Sequence, residues 1–131
     1  MFIDASALTA LLTDENDARE LLARLQQNRK RMTSPLAAWE AAIAVARVLD
    51  LPTNEAGQAV DDYLALMGIE MIAVPPETAR LALDAFERYG KGRHPARLNF
   101  GDCFAYACAR HFGQPLMFKG SDFPQTDIEA A

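Results

Sequence analysis

Cysteine and histidine are scarce in this chain, two of each in 131 residues, and neither stands at a zinc-ligand spacing. Cys103 and Cys108 are five apart on one predicted helix and point to different faces. They read as small buried thiols, not a bridge, which fits a reducing cytoplasm. No apolar run reaches the length of a membrane span, and the opening Met-Phe-Ile-Asp has no signal-peptide character, so a cytoplasmic protein with no membrane role is expected. Seven glycines and seven prolines are too few for a disordered or fibrous chain. Positive charge is also short: 13 Lys and Arg against 18 Asp and Glu leave a net charge of −5. The overall field therefore repels phosphate, and any dealing with nucleic acid must rest on a local basic patch or on bound cations. What remains is 50% hydrophobic and 24% charged, the composition of one folded domain spanning 1–131.

The chain alternates between short apolar strands and amphipathic helices. Phe2-Ile3 forms a strand ending at Asp4, and Ser6 is placed to cap a helix over Ala7 to Leu12. Asp17 to Gln27 repeats apolar residues at helical spacing, and Met32 to Ser34 is a brief strand stopped by Pro35, which opens the helix to Leu49. Thr53 caps the next helix, and Gly68 ends it. Ile69 to Val74 reads as a strand. The helix after Pro75-Pro76-Glu77 carries Ala79, Ala82, Leu83, Phe86 and Tyr89 inward. Gly90 to Arg97 is a basic loop. A helix from Gly101, uncharged over Cys103 to Ala109, must be buried on all sides. Pro115 to Phe118 is a strand, Lys119 to Pro124 a turn, and Thr126 to Ala131 a last strand with a frayed end. This order predicts an α/β domain with a mainly parallel sheet and helices on both faces.

Four acids occupy places where such a sheet builds sites. Asp4 lies just past the first strand and Asp122 just past the last clear one, beyond the carboxyl ends where ligands bind. Asp102 sits in the first turn of the buried helix, where free N–H groups and the helix dipole favour a carboxylate. Glu40 is the sole charge between Leu36 and Ala46 and emerges from an apolar face. Like charges ~4 Å apart at an effective dielectric near 20 repel by about 4 kcal/mol. Such a cluster must protonate in part or bind a cation. An all-oxygen set suits Mg²⁺, with Mn²⁺ as a substitute, and such ions polarise phosphoryl oxygens and activate water. Phosphodiester hydrolysis is the matching reaction class. Lys91, Arg93 and Arg97 lie immediately upstream of Asp102 and could hold flanking phosphates.

With these residues in view, the chain resembles the PIN-domain nucleases, and among them the VapC-type ribonuclease toxins of bacterial type II toxin–antitoxin systems. Met-Phe-Ile-Asp-Ala-Ser-Ala-Leu at the start, Pro35-Leu36-Ala37-Ala38-Trp39-Glu40, Leu98-Asn99-Phe100-Gly101-Asp102, and Leu116 to Phe123 followed by Thr126-Asp127-Ile128 look like the family's motifs in order. The resemblance implies a three-layer sandwich with a four- or five-stranded, mainly parallel sheet. It implies Asp4, Glu40 and Asp102 as the core of a Mg²⁺ site, Asp122 completing it directly or through water, Ser6 as a hydroxyl nearby, and Asp127 as an outer or structural acid. It further implies homodimers, an RNA substrate and a cognate antitoxin that lays basic side chains into the acidic cleft. A DNA or structure-specific nuclease of the same fold, or a non-catalytic interaction domain, are the alternatives. A haloacid-dehalogenase-type phosphatase wants a second Asp where Ser6 stands, and a phosphoacceptor receiver domain wants paired acids after its first strand, which are not there.

Overall fold

The computed structural model describes all 131 residues. β1 (Phe2–Ile3) leads into α1 (Ala5–Leu12) and α2 (Ala18–Gln27), and β2 (Met32–Thr33) into α3 (Pro35–Leu49) and α4 (Thr53–Leu66). β3 (Glu70–Met71) leads into α5 (Thr78–Tyr89) and α6 (Phe100–His111), β4 (Leu116–Met117) follows, and Phe123–Gln125 forms a 3₁₀ turn. The strands pair in parallel in the order β3-β2-β1-β4, so β1 is interior. The chain's last residues return to the free edge of β4. There the Leu116 N–H donates to the Glu129 carbonyl at 2.8 Å and the Ala131 N–H to the Leu116 carbonyl at 2.9 Å, a one-residue parallel bridge that stands in for a fifth strand.

Each strand is only two residues long, and alternation splits them between two cores. Ile3 and Met117 join the cluster under α1 to α4, with Leu8, Leu21, Leu25, Val60 and Leu64. Phe2, Met32 and Leu116 join the cluster under α5 and α6, with Ala82, Ala85 and Tyr106. The sheet is therefore the middle of three layers, as the sequence implies. The buried Thr33 hydroxyl donates to the Ile3 carbonyl at 2.8 Å, cross-linking the two inner strands.

Local chemistry sets the helix boundaries. Ser34 caps α3 by accepting the Ala37 N–H at 3.1 Å, and Pro35 takes the first helical position, where its missing N–H is not needed. Several boundaries differ from the sequence reading: α6 starts one residue early, at Phe100, β2 and β4 narrow to Met32–Thr33 and Leu116–Met117, and the last strand is reduced to the one-residue bridge. α1 begins at Ala5 because Asp4, not Ser6, is its cap. Thr53 is already helical, with Pro52 as the flanking residue. The third strand shrinks from Ile69–Val74 to Glu70–Met71, the two residues in register with Met32 and Thr33, with the Ile72 N–H making a last bond to the Thr33 carbonyl at 2.9 Å.

Helix α6 is buried at Gly101, Cys103, Ala105 and every residue from Tyr106 to Ala109, as its uncharged run requires, and both cysteines are free and buried. α5 does not turn the expected face inward. It buries Ala82 and Ala85, small residues that let it lie close to α6, and leaves Leu83 61% exposed and Phe86 40% exposed. No helix is long and apolar enough to cross a membrane.

Candidate active site

Consecutive strands leave β1 on opposite sides, β2 on one and β4 on the other, so its carboxyl end opens onto a switch point in the sheet. Asp4 stands there, 5% exposed. Its Oδ2 accepts the Ser6 N–H at 3.0 Å and the Ser6 hydroxyl at 2.6 Å, which caps α1. Burial raises the Asp4 pKa, and the Ser6 hydrogen bonds oppose the rise. The Ser6 oxygen also accepts the Lys119 N–H at 3.0 Å, so the turn after β4 is tied to the same carboxylate.

Asp102 is locked in place by a capping box: Asn99 Oδ1 accepts the Asp102 N–H at 2.9 Å, and Asp102 Oδ2 accepts the Asn99 N–H at 3.1 Å. Burial nonetheless pushes its pKa up to about 6, against the Asn99 hydrogen bond and with help from the charges of Asp4 and Asp122. Glu40 projects from the middle of α3 toward the first turn of α6. It lies so close to Gly101 that any β-carbon there would overlap its carboxyl group. Burial first, then the charges of Asp4 and Asp102, push Glu40 up to about 7. The three acids, drawn from three elements far apart in sequence, therefore feel one another.

Asp4, Glu40 and Asp102 line one open cleft together with Ser6, Thr9, Glu15, Lys119 and Gly120. The donors are oxygens throughout. As they stand, the carboxyl groups converge without forming a closed metal-gripping group. Asp122 is exposed, precedes the 3₁₀ turn and does not line this cleft; it reaches the site only through its charge on Asp102. Asp127 is elsewhere. It accepts hydrogen bonds from the Tyr106 hydroxyl at 2.7 Å, Arg110 at 2.6 Å and Arg88 at 3.1 Å, making it a structural acid that fastens the last segment to α5 and α6.

Lys91, Arg93 and Arg97 line a separate shallow depression with His94 and no acid. The loop is closed at its base, where the Lys91 N–H donates to the Leu98 carbonyl at 2.9 Å and the Leu98 N–H to the Tyr89 carbonyl at 3.0 Å. Arg93 is paired with Glu87 at 3.1 Å. The Gln125 amide donates to the Ser121 carbonyl at 3.2 Å and reaches the Pro95 carbonyl at 3.5 Å, which sets the basic loop beside the Asp122 turn. Sequence reading missed Glu15 and Lys119 in the cleft, both in turns whose polar residues look solvated. It also passed over the cap formed by Asn99, although the Asn-x-x-Asp spacing that signals it is plain.

Comparison with known proteins agrees with this layout. The PIN domain family model matches residues 1–129, and the chain belongs to the PIN-domain family. A solved structure, the Mycobacterium tuberculosis VapC20 toxin that cleaves the sarcin–ricin loop, shares the fold with a TM-score of 0.77 over 99% of this chain and 97% of that one, at 17% identity. Sequence relatives are nearer. "Ribonuclease VapC" of Mycolicibacterium smegmatis is 43% identical over 130 residues, covering 99% of this chain and 98% of that protein. "VapC ribonuclease Mb0640" of Mycobacterium bovis is 41% identical over 128 residues, covering 98% and 95%. Within the PIN domains, then, this chain sits among the VapC proteins.

Proposed function

We propose that the protein is a Mg²⁺-dependent endoribonuclease, the toxin of a toxin–antitoxin pair, hydrolysing RNA phosphodiester bonds at the acidic cleft. The observation that carries this reading is the convergence of Asp4, Glu40 and Asp102 in one cleft, with Glu40 and Asp102 both raised by burial and then by neighbouring negative charge. The names of the relatives support the choice of RNA. The donor set fits a hard divalent cation: three carboxylates, no imidazole or thiolate, and an open side from which water and phosphate can enter. Asp4, Glu40 and Asp102 would hold Mg²⁺ or Mn²⁺, with Asp122 adding only its negative charge from outside the cleft. When bound, the ion supplies Lewis-acid polarisation of the phosphoryl group and an ionised water.

The chain's own residues perform the remaining tasks. Ser6 fixes the Asp4 carboxylate by two hydrogen bonds, the capping box fixes Asp102, and contact with Gly101 fixes Glu40. The Lys91, Arg93 and Arg97 loop offers positive charge to flanking phosphates beside the Asp122 turn. An antitoxin rich in basic side chains would complement a chain of net charge −5. Exposed apolar surface at Trp39, Leu83 and Phe100 gives an antitoxin and a second copy something to bury.

The test is cleavage of an end-labelled single-stranded RNA in Mg²⁺, in Mn²⁺ and in EDTA. Asp4→Asn and Asp102→Asn should each abolish cleavage, and full activity of either in Mg²⁺ would end the assignment. Lys91→Ala combined with Arg93→Ala should weaken RNA binding while leaving divalent-ion binding intact. Unchanged RNA binding at low salt removes the loop from the mechanism.

A further inference from the structure

The acidic cleft has one cationic side chain in its lining, Lys119, and that charge is already taken. Its ammonium pairs with Glu15, which lines the same cleft, and with Asp17 at 3.4 Å. Two carboxylates share one ammonium, and Asp17 Oδ1 is the chain's one buried side-chain oxygen or nitrogen without a hydrogen bond. The arrangement carries a surplus negative charge. Meanwhile the Lys119 backbone is fixed to the site, through its N–H to the Ser6 oxygen and from Ser6 to Asp4. A backbone anchored this way holds the base of a long flexible side chain at the cleft while its tip can exchange partners.

Resting on the nuclease reading above, we propose that Lys119 is the substrate-phosphate contact of the cleft, held in reserve by Glu15 and Asp17 until a phosphate takes their place. Physical chemistry favours the exchange. An RNA strand brings further negative charge beside Asp4, Glu40 and Asp102, and an ammonium with three rotatable donors is the available group that can offset it. The Lys119 side chain is 37% exposed, so a phosphate can reach it without unfolding anything. Glu15 and Asp17 lie in the turn between α1 and α2, and their side chains, 33% and 35% exposed, can take up water as the ammonium leaves once the buried Asp17 Oδ1 turns outward. With the lysine engaged by them, the empty cleft stays negative.

The rival explanation is a purely structural clamp between the α1–α2 turn and the turn after β4, and the two accounts predict opposite signs. The experiment measures binding of a short fluorescent single-stranded RNA in EDTA, where metal-dependent cleavage cannot proceed, as a function of salt. Thermal melting is recorded for every variant. Lys119→Ala should weaken binding about 5- to 10-fold at low salt and lower the salt slope by about 0.7, one phosphate contact on a single strand. Lys119→Arg should keep most of the affinity. Glu15→Gln combined with Asp17→Asn frees the lysine and should tighten binding about threefold, although it melts at the same reduced temperature as Lys119→Ala. Unchanged affinity and slope in Lys119→Ala, or a Glu15→Gln/Asp17→Asn variant that binds no better than wild type, overturns the proposal and leaves the nuclease reading standing. A wild-type protein that neither binds nor cleaves RNA overturns both.

Discussion

The position of Glu40 is decided by a side chain that is not there. Gly101 leaves room for the carboxyl group against the first turn of α6, and even a methyl group would displace it. Alanine is about 1 kcal/mol better than glycine within a helix, so Gly101→Ala should cost little stability. It should nevertheless lower RNA cleavage at least about tenfold by moving Glu40, and a kcat that falls while the melting temperature holds is the result to look for. Asp102→Asn is a complementary probe. Asparagine retains an oxygen to accept the Asn99 N–H, so the cap survives while the charge is lost. At this scale the sequence was readable where a residue broke its surroundings: Asp4 after a strand, Glu40 alone on an apolar helix, Asp102 before an uncharged one. Lys119 and Glu15 were not readable, because a polar residue in a polar turn carries no local mark of what lies across from it.

Among the elements, the final segment depends on Asp127. Arg88 from α5 and Tyr106 and Arg110 from α6 all donate to its carboxylate. Burial raises the carboxyl, but the hydrogen bonds from Tyr106 and Arg88 and the charges of Arg110 and Arg88 outweigh it and hold the pKa near about 2. A depressed carboxylate stabilises the fold above its ordinary pKa and loses that contribution as pH falls toward 2. Asp127→Ala should therefore reduce stability by about 1 kcal/mol at neutral pH and hardly at all near pH 2, as denaturant titrations at the two pH values would show. The periodicity of α5 was legible, but its direction was not. Spacing groups Ala82 with Leu83 and Phe86 on neighbouring stripes, and only the close approach of α6 selects the alanine side for burial.

For the molecule as a whole, the acidic cleft sets a pH dependence of the opposite sign. Glu40 rises to about 7 and Asp102 to about 6 in the folded chain, against ordinary values of 4.5 and 3.8. Between about pH 4 and 7 the metal-free folded state thus binds more protons than the unfolded one, and stability falls as pH rises through that window. Urea denaturation in EDTA from pH 4.5 to 7.5 should show the decline. The Glu40→Gln/Asp102→Asn double variant should flatten it. Saturating Mg²⁺ should offset it in the wild type, because a ligand specific to the folded state stabilises by about 2.7 kcal/mol at 100 times its Kd. A wild-type curve flat in EDTA would mean that neither burial nor mutual repulsion raises Glu40 and Asp102 in solution.

The two-residue β1 has a consequence for how this chain tolerates change. With Phe2 committed to one core and Ile3 to the other, the strand has a parity and no spare positions. Inserting a single alanine between Ile3 and Asp4 would leave Phe2 and Ile3 in their cores yet push Asp4 and the start of α1 one residue along, so the carboxylate would leave the mouth of the sheet. Such a variant should remain folded and lose its chemistry, because in this protein the length of one very short strand is itself an instruction for where the first acid goes.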